Sequence, residues 1–444
     1  MLSLFSEIFN FKKILLPMIY VGLASAIILA VCDWNTNESY FNNMIVFDNF
    51  ALSFTILLAT LSLLWFAISP SFFHEPTSSV DHISLILFTL IGAVVMTSYS
   101  NMIMLFLGIE ILSISIYVLA GSRKSSLESN EAALKYFLMG AFATCFLLFG
   151  IALVYGSTGT FNIDRIGGAI MIGSNENNML LYAGVLMIMI ALAFKVSAVP
   201  FHFWAPDVYQ GSPTVITAFM STVVKTAAFA AFLRIMTAFI SLESFWSATL
   251  WIITAATILV GNITAVYQKN MKRMLAYSSV AHAGYMLLAI LAMNNSSADS
   301  LLFYAIAYSV SSITSFAILL VVHRATGSES IESFYGLAKR NPLLATVTVI
   351  SMLSLAGIPP TAGFFAKYYI FSSAIQNNLT ALVLIAIIGS LIGVFYYFRV
   401  IIALFRDNET QKIEMGTAFQ TVLLFTSFIA MLLGILPGLF VGII

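Results

Sequence analysis

The chain has 444 residues, 60% of them hydrophobic and only 9% charged, with a mean hydropathy of +0.99. A soluble domain carries about 25% charged residues, so the composition is that of an integral membrane protein. Its 19 Lys and Arg balance 19 Asp and Glu with no basic run, which excludes nucleic acid as a partner. Cys32 and Cys145 are isolated thiols, too few for an iron–sulfur cluster or a structural zinc, so any redox chemistry is expected on another chain.

No short apolar core with a small-residue cleavage site opens the chain, and the run 14–31 is read as a retained helix. Continuing in chain order, apolar runs of spanning length predict helices at 14–31, 50–70, 83–99, 101–121, 131–155, 179–203, 213–240, 246–267, 273–293, 300–322, 342–375, 380–404 and 417–441, thirteen in all. Alternate loops then receive Lys12, Lys13, Arg123, Lys124, Lys269, Lys272, Arg273, Arg324, Lys339, Arg340, Arg406 and Lys412 on one side and Arg165 alone on the other. Twelve against one is a positive-inside signal: basic loops cytoplasmic, C-terminus on the opposite face. Arg234 and Arg399 read as end-of-helix anchors.

Two of these spans are anomalous. The first carries Pro200 soon after Lys195, and the second is some 34 residues long with Gly357, Pro359 and Pro360 in its middle. Proline removes a backbone donor and clashes with the preceding turn, so both helices are expected to break inside the membrane, where the break must be buried in protein or line a wet cavity. The strings Ser197-Ala198-Val199-Pro200 and Ala356-Gly357-Ile358-Pro359 look alike, each with a lysine nearby, the pattern of an internal repeat of transporter type.

Ionisable residues fall inside five predicted spans: Glu110, Lys195, Lys225, His282 and Lys367. Ser113 and Tyr117 share a helix face with Glu110; Thr214, Thr217 and Ser221 extend a polar stripe to Lys225; Ser278 and Tyr285 flank His282. Each charge at a helix centre costs roughly 2.5–3.5 kcal/mol on insertion scales, so Glu110 and the three lysines together cost on the order of 10 kcal/mol unless paired, hydrated or neutralised. Burial disfavours a charged amine and a nearby carboxylate favours it, so a lysine whose partner moves can take up and release a proton. The competing reading is static: Glu110 with Lys195 as an ion pair fixing helix register, and His282 as a satisfied core histidine. His202 beside Trp204 is an interfacial anchor or a proton shuttle, and Lys135, four residues past Glu131, snorkels toward the loop or joins the set.

The string Phe194-Lys195-Val196-Ser197-Ala198-Val199-Pro200-Phe201-His202-Phe203-Trp204-Ala205-Pro206-Asp207-Val208-Tyr209-Gln210-Gly211-Ser212-Pro213 resembles the signature of the antiporter-like subunits of respiratory complex I, a superfamily that includes Mrp-type cation/proton antiporters and membrane-bound hydrogenases. Val208-Tyr209-Gln210-Gly211 is similar to the subunit N branch of bacterial NADH:quinone oxidoreductases. Supporting strings are Leu105 to Ser113 around Glu110, Met271 to Ser279 with His282 and Gly284-Tyr285, and Ala356 to Pro360 through Gly363-Phe364 and Lys367. The resemblance runs from about 50 to 440.

It implies an all-α polytopic protein with two inverted five-helix repeats, each containing a broken helix. The single transmembrane domain 1–444 then divides into N-terminal helices at 14–99, repeats at 101–240 and 246–404, and a C-terminal helix at 417–441. The family usually has fourteen helices, so one N-terminal helix is expected to be absent from the thirteen counted. By position, Glu110 resembles the glutamate that modulates pump lysine Lys195, Lys225 the connecting lysine, His282 a central-axis residue, Lys367 the exit-side lysine, and Lys135 a family lysine beside the glutamate. The implied function is non-redox proton translocation within NADH:quinone oxidoreductase in the bacterial inner membrane, with a periplasmic C-terminus. The partners are then the other membrane subunits, the lipid bilayer and protons. No cofactor is expected on this chain, the complex as a whole using NADH, FMN, iron–sulfur clusters and quinone. A cation/proton antiporter subunit and a purely structural spacer are the alternatives.

Overall fold

The computed structural model describes residues 12–69, 72, 79–172, 179–406, 412–440 and 442. Among these, ten helices are long and apolar enough to cross a membrane, and three shorter apolar ones, Met179–Lys195, Pro342–Ala356 and Phe419–Ile435, complete the thirteen expected crossings. The final residues of the expected spans 50–70 and 417–441 lie outside the described residues.

The chain clusters into two compact units. One holds Met1–Val196, Val223–Thr249 and Ile444; the other holds Ser197–Thr222 and Leu250–Ile443. The first begins with α1 (Lys12–Cys32), a two-stranded hairpin pairing β1 (Glu38–Tyr40) with β2 (Ile45–Phe47), α2 (Asn49–Ile68) and α3 (Ser79–Ser98). It continues through α4 (Met102–Ala120), α5 (Leu127–Thr158), a short amphipathic α6 (Ile163–Ile172) and α7 (Met179–Lys195). The hairpin and α6 were not legible in the sequence, where both fell in predicted loops. Asp48 caps α2, its side chain accepting from the Ala51 amide at 2.8 Å, and also takes both oxygens to Arg234 at 2.5 and 2.6 Å. Arg234, read as a helix-end anchor, is therefore fixed by a bidentate pair that ties its helix to the start of α2.

Glycine sets two backbone contacts in this unit. A Cβ at Gly92 on α3 would lie 2.6 Å from the Leu112 amide and 2.7 Å from the Gly108 carbonyl on α4. On α7, a Cβ at Gly184 would lie 2.9 Å from the Gly150 carbonyl and 3.0 Å from the Val154 amide, both on α5. Close approach through small residues is the main means by which helices associate where lipid removes the hydrophobic drive. Gly184→Ala should therefore push α7 off α5 and cost about 1–3 kcal/mol, the usual range for overpacking. A lowered thermal midpoint and lowered recovery of assembled protein would register it, and an unchanged midpoint would refute the close contact.

The second unit contains α8 (Trp204–Gly211), most of α10 (Glu243–Val266), α11 (Met271–Ala292), α12 (Ser297–Thr326), α13 (Pro342–Ala356), α14 (Ala362–Gln376), α15 (Thr380–Phe405) and α16 (Thr417–Ile435). Helix α9 (Thr214–Ala238) belongs to both units along its length and is buried except at Arg234 and Thr237, as nearly are α11 and α12. Its middle, Met220–Val224, is a π-helical turn, and Lys225 is the first residue after it.

Local construction recurs along the chain. Before α4, Asn101 bridges to Asn162 while the Met102 amide donates to the Phe161 carbonyl; before α11, Asn270 bridges to Ser330 while the Met271 amide donates to the Glu329 carbonyl. The long helices that follow, α5 and α12, both end on a left-handed glycine, Gly159 and Gly327.

Both breaks lie where the repeat requires them, but not in the register read from the sequence. α7 stops at Lys195, five residues ahead of Pro200, because Ser197 takes a left-handed φ of 64°; α13 stops at Ala356 because Gly357 takes φ 81°. A cis proline follows three residues later in each, Pro200 and Pro360. Ser197 thus corresponds to Gly357, one residue away from the register of the matching strings. In that register Lys195 stands before its break and Lys367 after its own.

Candidate proton-transfer site

In the first unit Lys195 closes α7. Its side chain is buried at 6% exposure, and Nζ donates to Ser113 Oγ at 2.6 Å and lies 5.9 Å over the Tyr136 ring. Ser113 in turn donates to the Ile109 carbonyl one turn back on α4. Glu110, half-buried on the same helix, accepts from Thr144 Oγ1 of α5 at 2.7 Å. The ammonium therefore meets the glutamate's helix through a hydroxyl. A cavity of about 10 Å³, bounded by Ser113, Tyr117, Thr144 and Lys195 among others, is the size of a single water position. Tyr117 reaches it because Gly140 leaves the space its hydroxyl fills; a Cβ at Gly140 would overlap that oxygen. Lys135 is not brought to this cluster by its ion pair: it reaches Glu131 at 2.7 Å with its side chain 41% exposed.

Lys225 is 3% exposed. The stripe leading to it is real but bent by the π turn: Thr214 donates to Glu329 at 3.0 Å, Thr217 to the Tyr209 carbonyl at 2.9 Å, and Ser221 to the Ala218 carbonyl at 3.0 Å. Single π turns inside α-helices cluster at functional positions because the widened turn redirects side chains.

The second unit builds the other cluster. His282 Nδ1 lies 2.7 Å from Tyr304 Oη and Nε2 lies 3.1 Å from Tyr397 Oη, which is itself paired with Ser278. Asn262 donates to Tyr285 Oη at 3.1 Å and accepts from Tyr396 at 3.2 Å, while Tyr308 donates to Ser279 at 2.9 Å. Lys367, 7% exposed, donates to the Ala356 carbonyl at 2.7 Å and to Ser390 Oγ at 2.8 Å, with Nζ 5.1 Å over the Tyr285 ring. Since Ala356 is the last residue of α13, the ammonium sits on a carbonyl the break leaves open, at the negative end of the helix dipole. Its stem packs against Gly357, where a Cβ would lie 2.8 Å from Cδ.

Sequence reasoning passed over Tyr304, Tyr308, Tyr396, Tyr397, Asn262, Thr144 and Tyr136. The spacing of Tyr304 and Tyr308, one turn apart on a helix, was a usable signal. It also placed Lys272 in a cytoplasmic loop, whereas Lys272 opens α11 at 2% exposure, donating to the carbonyls of Gln210 and Ser212 at 3.1 and 2.6 Å and pairing with Glu329 at 3.3 Å. The reason is local: the end of α8 presents free carbonyls, and a cation at a helix C-terminus satisfies them. His202 is buried with Nδ1 unpartnered among the described residues, beside a break whose Val199 amide donates to Thr257.

Residues 99–393 match the family model described as NADH:quinone oxidoreductase/Mrp antiporter, transmembrane. The chain belongs to this family. A relative named NADH-quinone oxidoreductase subunit N from Cytophaga hutchinsonii is 45% identical over 447 residues, 100% of this chain and 96% of the relative. The protein of that name from Flavobacterium psychrophilum is 40% identical over 446 residues, again 100% of this chain and 96% of the other. Among solved structures, a chain of respiratory complex I from Thermus thermophilus superposes with a TM-score of 0.85 at 32% identity, covering 98% of this chain and 96% of that one. Within the NADH:quinone oxidoreductase/Mrp antiporter family, the chain is thus similar to subunit N along its whole length.

Proposed function

We propose that the chain is a proton-translocating, non-redox membrane subunit of an NADH:quinone oxidoreductase in the bacterial inner membrane. End-to-end identity of 45% to a subunit N carries the reading. Electron transfer from NADH through FMN and iron–sulfur clusters to quinone then takes place in other subunits, and the neighbours of this chain are further membrane subunits. The excess of Lys and Arg in one set of loops supports a cytoplasmic face there and a periplasmic C-terminus.

The two clusters support the chemistry. Lys195 is loaded through Ser113 and the one-water cavity, with Glu110 setting how strongly the ammonium is held; Lys225 on the π-bent helix relays; His282 passes a proton between its two tyrosine hydroxyls; and Lys367 gives it up at the break of α13. Lys135, exposed and paired with Glu131, is assigned to charge balance at the approach to Glu110. Within each cluster a step moves one proton between an amine, an imidazole or a hydroxyl and its hydrogen-bonded neighbour.

The test is NADH-driven proton uptake by the purified complex in proteoliposomes. Uptake that continues undiminished when choline replaces Na⁺ supports the pump. Uptake that stops without Na⁺ assigns the same residues to cation/proton exchange and refutes it.

A further inference from the structure

One groove on the second unit is lined by none of these residues. It has a volume of about 530 Å³ and runs along α15 where the helix meets the segments around Lys269 and Ile331–Tyr335. Its long wall is apolar. Phe395, Phe398 and Ile402 line it from α15, and the exposed Leu384, Ile388, Leu391 and Phe405 carry the same spacing of four and three residues along the helix beyond the lining. At one end of that stripe the lining turns cationic, with Lys269, Arg399 and Arg406 against a single carboxylate, Glu332.

The cations are differently engaged. Arg399 donates to the carbonyls of Val266 and Gln268, capping the end of α10. Arg406 follows directly on the last turn of α15, donates to Tyr335 Oη at 2.9 Å and stacks over the same ring at 5.2 Å. Lys269 is exposed. The apolar lining of Phe395, Phe398, Ile402 and Ala403 fits hydrocarbon, and the excess positive charge of Lys269, Arg399 and Arg406 beside it fits an anion at headgroup depth. Aromatic and basic side chains together at the end of a spanning helix mark the membrane–water boundary.

We infer that this groove is a binding site for an anionic phospholipid, its phosphate held by Lys269 and Arg406 and an acyl chain laid along Phe395, Phe398 and Ile402. The inference needs only that the chain spans a membrane and does not rest on proton pumping. Apolar burial supplies affinity without headgroup selectivity, and the cations supply the preference for anionic over zwitterionic lipid.

The assembled complex, purified in mild detergent and delipidated, is given photoactivatable phosphatidylglycerol or photoactivatable phosphatidylcholine, and the labelled peptides are mapped. Labelling of the 395–402 stretch by the anionic lipid should exceed that by the zwitterionic one at least about tenfold, a difference of about 1.4 kcal/mol. The Lys269→Gln/Arg406→Gln double variant should lose that preference and the Lys269→Arg/Arg406→Lys variant should keep it. Equal labelling by the two lipids, or an undiminished preference in the glutamine variant, overturns the site. Suppression of labelling by millimolar inorganic phosphate shows a free-anion site and overturns the lipid assignment. Should the glutamine variant not assemble, a photo-crosslinking phenylalanine analogue at Phe398 decides: a lipid adduct supports the inference, and a polypeptide adduct makes the groove a subunit contact.

Discussion

Lys195→Ala should abolish proton translocation, lowering NADH-driven uptake by at least about tenfold while the complex still assembles. The reasoning begins with what the substitution leaves behind. Ser113 keeps its bond to the Ile109 carbonyl, and Glu110 keeps the Thr144 hydroxyl on a half-exposed position. The loss of one buried cation therefore strands no buried group without a partner, and the cavity opened by the shortened side chain adjoins one already about 10 Å³ in volume. Function should fail without the fold failing, since these contacts remain while the amine that donates to Ser113 is lost.

Lys195→Arg separates the relay from a static pair. A guanidinium preserves the charge, and with it any role in fixing helix register against Glu110, but it does not give up its proton in a protein. Translocation should remain lost. If Lys195→Arg pumps normally, the lysine is a fixed counter-charge and the relay role assigned to it is wrong. Uptake into proteoliposomes, with assembly checked by native electrophoresis, reads both variants.

How far the sequence carried this site depends on the range of each contact. The crossings were legible because twenty apolar residues in a row have one physical reading, and the breaks because glycine and proline interrupt two of them. Glu110, Lys195, Lys225, His282 and Lys367 stood out for the cost of burying them. What surrounds them was not legible. His282 finds Tyr397 across 115 residues, Lys367 finds Ser390 across 23, and Lys272 finds the Ser212 carbonyl across 60. Tyrosine, serine and asparagine cost little in a helix, so nothing in local composition marks them. The register of the breaks was misread for a different reason. Proline was taken as the point of interruption, whereas the helices end earlier, at the left-handed residues Ser197 and Gly357. Serine at such a position gives no sequence signal, unlike glycine. The hairpin at Glu38–Phe47 and the amphipathic α6 were lost because each is too short to separate from a polar loop by periodicity.

Gly357→Ala is expected to cripple the exit side through Lys367, although residue 357 carries no titratable group. Two effects combine. At φ 81° a Cβ costs roughly 1–2 kcal/mol against the backbone, and it would stand 2.8 Å from Lys367 Cδ and 3.0 Å from Nζ. The lysine stem can swing aside, but only by withdrawing Nζ from the Ala356 carbonyl at 2.7 Å and Ser390 at 2.8 Å. Proton uptake should fall at least about fivefold, the equivalent of about 1 kcal/mol on a limiting step, with a smaller loss of thermal stability. Lys367→Met should abolish uptake. Because both substitutions act on one ammonium, the double variant should behave as Lys367→Met alone, a coupling that a double-mutant cycle measures directly. Uptake in Gly357→Ala at the wild-type level, alongside an inactive Lys367→Met, would mean that Lys367 works without its seat on the broken end of α13.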